Sequence, residues 1–217
     1  AQSEYGERWG RHWLDVARYA DSTGNDEDHR YPHAWRYRDY VIRAFNEDLP
    51  YDRFVQEQVA GDLLPAEDGG DVNVRGIVAT GFLALGPKAL AQQDKKRMLY
   101  DVYDEQLDVV SKAFFGLTVT CARCHDHKFD PIPTRDYYSM VSIFARTQSF
   151  ADATTHVAKL LARPLVPESI YEIYRRSQNR ILHKKADIQQ VVDQALARRN
   201  EQLLPETEAY MLAAERV

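Results

Sequence analysis

No apolar run of about 18 residues interrupts the chain, so no segment of it reads as a transmembrane helix. Cysteine is almost absent. Two in 217 residues are too few for a disulfide-stapled scaffold. Excess positive charge is missing as well: 28 Lys and Arg against 33 Asp and Glu leave a net charge of −5 and a pI near 5.8. That balance excludes the basic footprint of a nucleic-acid binder. Ten glycines and nine prolines are too few for a collagen-like chain. The first residues lack a charged segment followed by an apolar one, so no secretory signal is visible. The first helical pattern begins near Tyr5, and the last runs uncapped to Val217. The sequence therefore reads as a piece of something larger with a trimmed N-terminus, and its ends do not fix a compartment.

What is present fits a globular protein, with 44% hydrophobic and 28% charged residues. Tyrosines (13) outnumber Phe (8) and Trp (3) together, which suggests amphipathic surfaces beside the plain core. Apolar spacing predicts a helix over 4–20, with Trp9, Trp13, Val16, Ala17 and Ala20 on one face and His12 at its edge. Residues 34–46 read as a second helix, and a third short one starts at Pro50 and Asp52 and stops at Gly61. Residues 74–86 read as a buried helix and 94–115 as a longer one. After a loop over 116–133, Thr134 is expected to cap a helix to about Ala145. Residues 147–167 read as a linker. From 168 the sequence lacks Gly and Pro until Pro205, and Ile170, Tyr174, Ile181, Ile188, Val191 and Ala195 form a narrow apolar seam, interrupted by Ser177 and Lys184 at intervening seam positions. Such a stripe needs a partner helix, in a long helix or part of a helical hairpin over 168–217. No strand alternation and no internal repeat is seen, so the fold class is mostly α: an irregular helical domain with a helical extension.

One motif is sharp. Cys121-Ala122-Arg123-Cys124-His125 is C-x-x-C-H and uses both cysteines of the chain. Two thiols at this spacing can add to the two vinyl groups of one haem, and the imidazole after the second Cys falls on the iron as its proximal ligand. Other uses of the pair compete. Cys121 and Cys124 could form a disulfide. Together with His125 and His127 they could hold zinc, although adjacent ligands at 124 and 125 are hard to seat tetrahedrally. A thioredoxin-like pair would need a βαβ context that is missing.

Several long stretches resemble one family: ERWGRHWLDVARYADS from Glu7 to Ser22, YRDYVI from Tyr37, NEDLPYD from Asn46, QVAGDLLP from Gln58 and CARCHDHKFDPI from Cys121. They resemble the planctomycete cytochrome c-associated domain, a DUF1549 (PSCyt2-like) domain of large exported proteins, over about residues 4–146. The resemblance implies a covalent c-type haem in a domain spanning 1–146. It also implies an extracytoplasmic place, in the periplasm or at the cell surface, and membership of a multidomain chain with other redox domains as partners. It supplies no substrate, and residues 168–217 match nothing in it.

Other residues are candidates to complete such a site. His12 is the first candidate for the distal iron ligand and Met140 the second, since thioether ligation raises the potential. His127 is expected to orient the loop through a propionate, a backbone carbonyl or Asp130. In a haem enzyme with an open iron site, His12 or His127 would instead be the acid–base group. His29 and His33 lie in a loop from which either could swing onto the iron, while His156 and His183 read as solvated. Arg123, Arg36, Arg38 and Lys128 are candidates to pair the propionates, and Trp13, Tyr37, Tyr137 and Tyr138 to wall the macrocycle. The acidic loop from Asp21 to Asp28 resembles the start of a calcium loop at Asp21, Thr23 and Asn25, but Asp26 and Pro32 stand where such a loop has Gly and Glu. The leading expectation is a mono-haem electron-transfer domain. A haem enzyme acting on peroxide or an organic substrate, and a non-redox interaction module, are the alternatives.

Overall fold

The computed structural model describes residues 3–25, 28–66 and 69–214. The chain divides into two units, one up to Leu165 and one from Val166. Both are mostly helical. In the first, α1 (Ser3–Val16) packs on α2 (Ala34–Asn46). Then follow α3 (Tyr51–Ala60), a 3-10 turn (Gly61–Leu63), α4 (Val74–Ala79), α5 (Gly81–Ala84), α6 (Lys95–Val110), a π-helical turn (Ser111–Phe115), a 3-10 turn (Val119–Arg123) and α7 (Thr134–Phe144). The helix expected over 74–86 is thus two short ones, α4 and α5, with Thr80 between them.

The face of α1 is only in part the one predicted by apolar spacing. Ala17 is buried and Trp13 packs against the core as expected, but Trp9 and Val16 are exposed, and Gly6 and Gly10 are buried in their place. Glycines one turn apart let the α1 backbone come close to α2. A Cβ added at Gly6 would stand 2.3 Å from the Ile42 carbonyl oxygen. The Gly6 N–H donates to Asn46 Oδ1 at 2.8 Å. Arg18, in the left-handed conformation at φ 54°, turns the chain out of α1.

The main core joins Tyr37, Tyr40 and Val41 of α2, Phe54 of α3, Phe82 of α5, and Tyr137, Val141 and Phe144 of α7. Beneath it lies a polar knot. Glu57, 1% exposed, accepts from Tyr40 Oη at 2.9 Å and pairs with Arg53 Nε and Arg75 Nε, each at 3.1 Å.

The segment expected to be a linker carries a two-stranded antiparallel hairpin, β1 (Phe150–Asp152) and β2 (Lys159–Leu160), within the first unit. Phe150 and Ala158 are buried with Leu90, Met98 and Val102 in a second, smaller apolar cluster. Ala158 N–H donates to Leu90 O at 2.9 Å. Strands of two and three residues are too short for alternation to show in sequence, so burial against α6 sets this element.

Among its described residues the second unit is built on one helix, α8 (Glu168–Ala214), of 47 residues. It is about 70 Å long at roughly 1.5 Å per residue and runs through Pro205. Ile170, Tyr174, Ile181, Ile188 and Val191 of the expected seam are exposed on it. Among the described residues no helix is long and apolar enough to cross a membrane.

Candidate functional site: the Cys121–His125 turn

The motif sits on the 3-10 turn Val119–Arg123, which packs against α6 and α7. Three residues complete a turn of such a helix, so positions three apart lie on one side. Ala122 is fully buried and anchors the turn to the core, while Cys121, Cys124 and His125 are exposed. Both cysteines are free thiols. His125 Nδ1 lies 2.7 Å from Asp126 O. A carbonyl only accepts, so Nδ1 carries a proton and, in the neutral ring, the lone pair is on Nε2.

The residues after the motif tie the loop down. His127 N–H donates to Ile132 O at 2.9 Å. The His127 side chain is 5% exposed, and its Nδ1 accepts from the backbone N–H of Asp130 at 2.9 Å and of Phe129 at 3.3 Å. Nε2 lies 3.0 Å from Thr118 Oγ1, on the far side of the motif. The Asp130 carboxylate also stands 3.2 Å from Nδ1. Two backbone N–H vectors aim at that nitrogen, however, and a protonated Nδ1 would face them both. Nδ1 is therefore the acceptor, and Nε2–H donates to Thr118. The expected orienting role through Asp130 takes this form, with the Asp130 backbone rather than a charge pair as the partner.

Thr134 does not cap α7 with its own side chain. It is the first helical residue, and its N–H donates to Asp126 Oδ1 at 2.8 Å. The cap comes from the loop itself, so Asp126 fixes α7 through its carboxylate and the His125 ring through its carbonyl.

Arg123 turns to the flank of the motif. Its Nη1 donates to Asp104 Oδ2 at 3.1 Å and its Nη2 to Asp101 Oδ1 at 2.8 Å. The hydrogen bond to Asp101 holds its pKa above the ordinary arginine value. Asp104 also accepts from Tyr137 Oη at 2.5 Å. Burial first, and then this bond, keep the Tyr137 phenol protonated well beyond its usual range. Beside the cluster an open groove of about 380 Å³ is lined by Asp94, Lys96, Arg97, Tyr100, Arg123, Tyr137, Tyr138 and Val141. Tyr138 Oη donates to Arg123 O at 3.2 Å and so closes the turn against α7.

A family model described as PSCyt2, a protein of unknown function (DUF1549), matches residues 1–149. The chain belongs to this family. No curated protein and no solved structure matches it.

The other candidates of this PSCyt2 chain fall in several places. Trp13 lies in the aromatic core, 4.9 Å from Phe54 and 5.8 Å from Phe114 between ring centroids. Its Nε1 donates to Gln58 Oε1 at 2.9 Å and to Tyr37 Oη at 3.1 Å. Tyr37 is likewise committed to Gln58. His12 is exposed on α1 with its ring 5.5 Å from Trp9. The main packing partner of α1 is α2, whereas the motif turn packs on α6 and α7. Met140 is half-buried on α7 against the main core. Arg36 stacks over Trp35 and Arg38 pairs with Asp39. Lys128 lies over the Phe129 ring, 5.1 Å from its centroid. His29, His33, His156 and His183 are exposed.

In the acidic loop, Thr23 is buried, Asp21 accepts from Tyr19, and Asp28 accepts from the Gly24 N–H. Asp26 lies outside the described residues. Among the described residues no group of three or more His, Cys, Asp or Glu is arranged to hold a metal ion. Neither the calcium loop nor a Cys121–Cys124–His125–His127 zinc set gains support from the fold. Sequence reasoning missed Thr118, Asp101 and Asp104, which share no local spacing with the residues they hold, and it missed the cap that Asp126 gives to Thr134, eight residues on.

Proposed function

We propose that this domain carries one covalent c-type haem on Cys121 and Cys124, with His125 as proximal ligand, and exchanges electrons with other redox domains or proteins outside the cytoplasm. One observation carries the reading. Two free thiols and an imidazole are presented together on the exposed side of a short turn, and the imidazole's second nitrogen is fixed by a carbonyl. Metal-ligating histidines commonly donate their other N–H in this way, which sets the tautomer and the ring orientation. The donor set fits a haem better than a four-ligand metal, because His127 has both ring nitrogens engaged within the loop.

A bound haem would supply one-electron chemistry at its iron. The chain's own part is to present the thiols and hold His125 with Nε2 bare. Lys128, next to the motif and with no carboxylate partner among the described residues, is the proposed propionate partner. Arg123 is already committed to two aspartates. His12 first and Met140 second are the proposed further ligands, and a haem held by either would serve electron transfer. With that position open, the same chain would be a haem enzyme.

Carbon monoxide and cyanide separate the two. Added to reduced and oxidised protein matured with haem, they are expected to leave the absorption spectrum of a six-coordinate transfer haem unchanged. Rapid spectral change on mixing would favour the enzyme. His12→Ala is expected to perturb the low-spin spectrum and Met140→Leu to leave it intact. The reverse result would reassign the ligand.

A further inference from the structure

We infer that His127 is a positioning residue that staples the Cys121–His125 turn into its attachment-ready shape, and that it is neither an iron ligand nor an acid–base group. The inference rests on the proposed haem attachment for its purpose, but the hydrogen bonds it is argued from lie wholly within the chain.

Thr118 opens the turn, and its carbonyl accepts the Cys121 N–H at 3.0 Å. Its hydroxyl accepts from His127 Nε2 at 3.0 Å across nine residues. On the other side of the ring, Nδ1 gathers the N–H groups of Phe129 and Asp130, and the His127 backbone N–H reaches Ile132 O. One ring therefore links the strand of chain entering the motif to the strand leaving it. Cys121, Cys124 and His125 lie between the two tied points. With its side chain 5% exposed and both nitrogens engaged, the ring has no lone pair free for iron and no proton free to give. A loop closed in this way loses its ordering entropy on folding rather than at the moment of thioether formation.

Three haem-free variants and one NMR observable test this. In ¹⁵N-labelled wild-type protein at neutral pH, long-range ¹H–¹⁵N correlations should report His127 protonated on Nε2 and bare on Nδ1. His127→Ala should speed exchange of the Asp130 amide by roughly fivefold or more, the loss of about one net hydrogen bond. His127→Asn places its Oδ1 near the former Nδ1 and should keep that amide protected. Thr118→Val removes only the Nε2 arm and should also keep it protected. In a host competent for cytochrome c maturation, His127→Ala should lower covalent haem yield by about tenfold, within the range that outer-shell partners cost. His127→Asn should retain both yield and spectrum.

A ring protonated on Nδ1, or an Asp130 amide indifferent to His127→Ala, overturns the staple. An altered iron spectrum in His127→Asn with Asp130 still protected makes His127 a ligand and overturns it equally. Should His127→Ala fail to fold, the tautomer and the Asn variant still decide. If no haem attaches to wild type, the proposed function fails, while the tautomer and the exchange rates judge the staple independently.

Discussion

Glu57 shows what a single buried residue does here. It has almost no water contact, and it accepts from Tyr40, Arg53 and Arg75. Arg75 in turn reaches Glu47 at 2.8 Å. Removing one charge from such a knot strands the others, and breaking a buried pair costs about 3–5 kcal/mol. Both arginines are about one-quarter exposed, so Glu57→Gln should lie at the low end, near 3 kcal/mol, in urea denaturation. A loss below about 1 kcal/mol, the worth of one ordinary hydrogen bond, would mean that water replaces the carboxylate.

The C-x-x-C-H signal was legible at this scale because its spacing is local. The residues that hold it were not. Thr118 and His127 are nine positions apart, and Asp126 caps a helix that begins eight residues later. No periodicity or cap rule marks such pairs.

Among the elements, α2, α3 and α7 were readable from apolar spacing and punctuation, because each buries a stripe against the core. The contact face of α1 was readable only in part. Apolar spacing favours Trp9 and Val16, but close approach to α2 is set by Gly6 and Gly10, which have no side chain to register as hydrophobic. Gly6→Ala tests this. In a free helix the change gains about 1 kcal/mol. Here the new methyl would stand 2.3 Å from the Ile42 carbonyl oxygen, and overpacking of this kind costs about 1–3 kcal/mol. Because the neighbour is backbone, the expected outcome is a net loss of about 1–2 kcal/mol, read as a lowered melting temperature. A stabilised variant would show that α1 shifts freely on α2. The hairpin at 150–160 was hidden for another reason: its stability comes from Phe150 and Ala158 packing on α6, a tertiary contact that its short strands do not announce.

For the molecule as a whole, a mostly helical first unit presents one chemically distinctive feature, the exposed Cys121–His125 turn, and the second unit is, among its described residues, built on a single long helix with an exposed apolar stripe. The chain belongs to the PSCyt2 family, described as of unknown function, over residues 1–149; the geometry of the turn is what supports the proposed reading, in which the first unit would be a scaffold for a covalently held redox group. The most direct measurement is the intact mass of the chain produced with the cytochrome c maturation machinery, beside its Cys121→Ala/Cys124→Ala variant. The account predicts a wild-type polypeptide heavier by one haem and a variant at the bare polypeptide mass. A wild-type mass equal to the bare chain, or lower by two hydrogens for a Cys121–Cys124 disulfide, would contradict it.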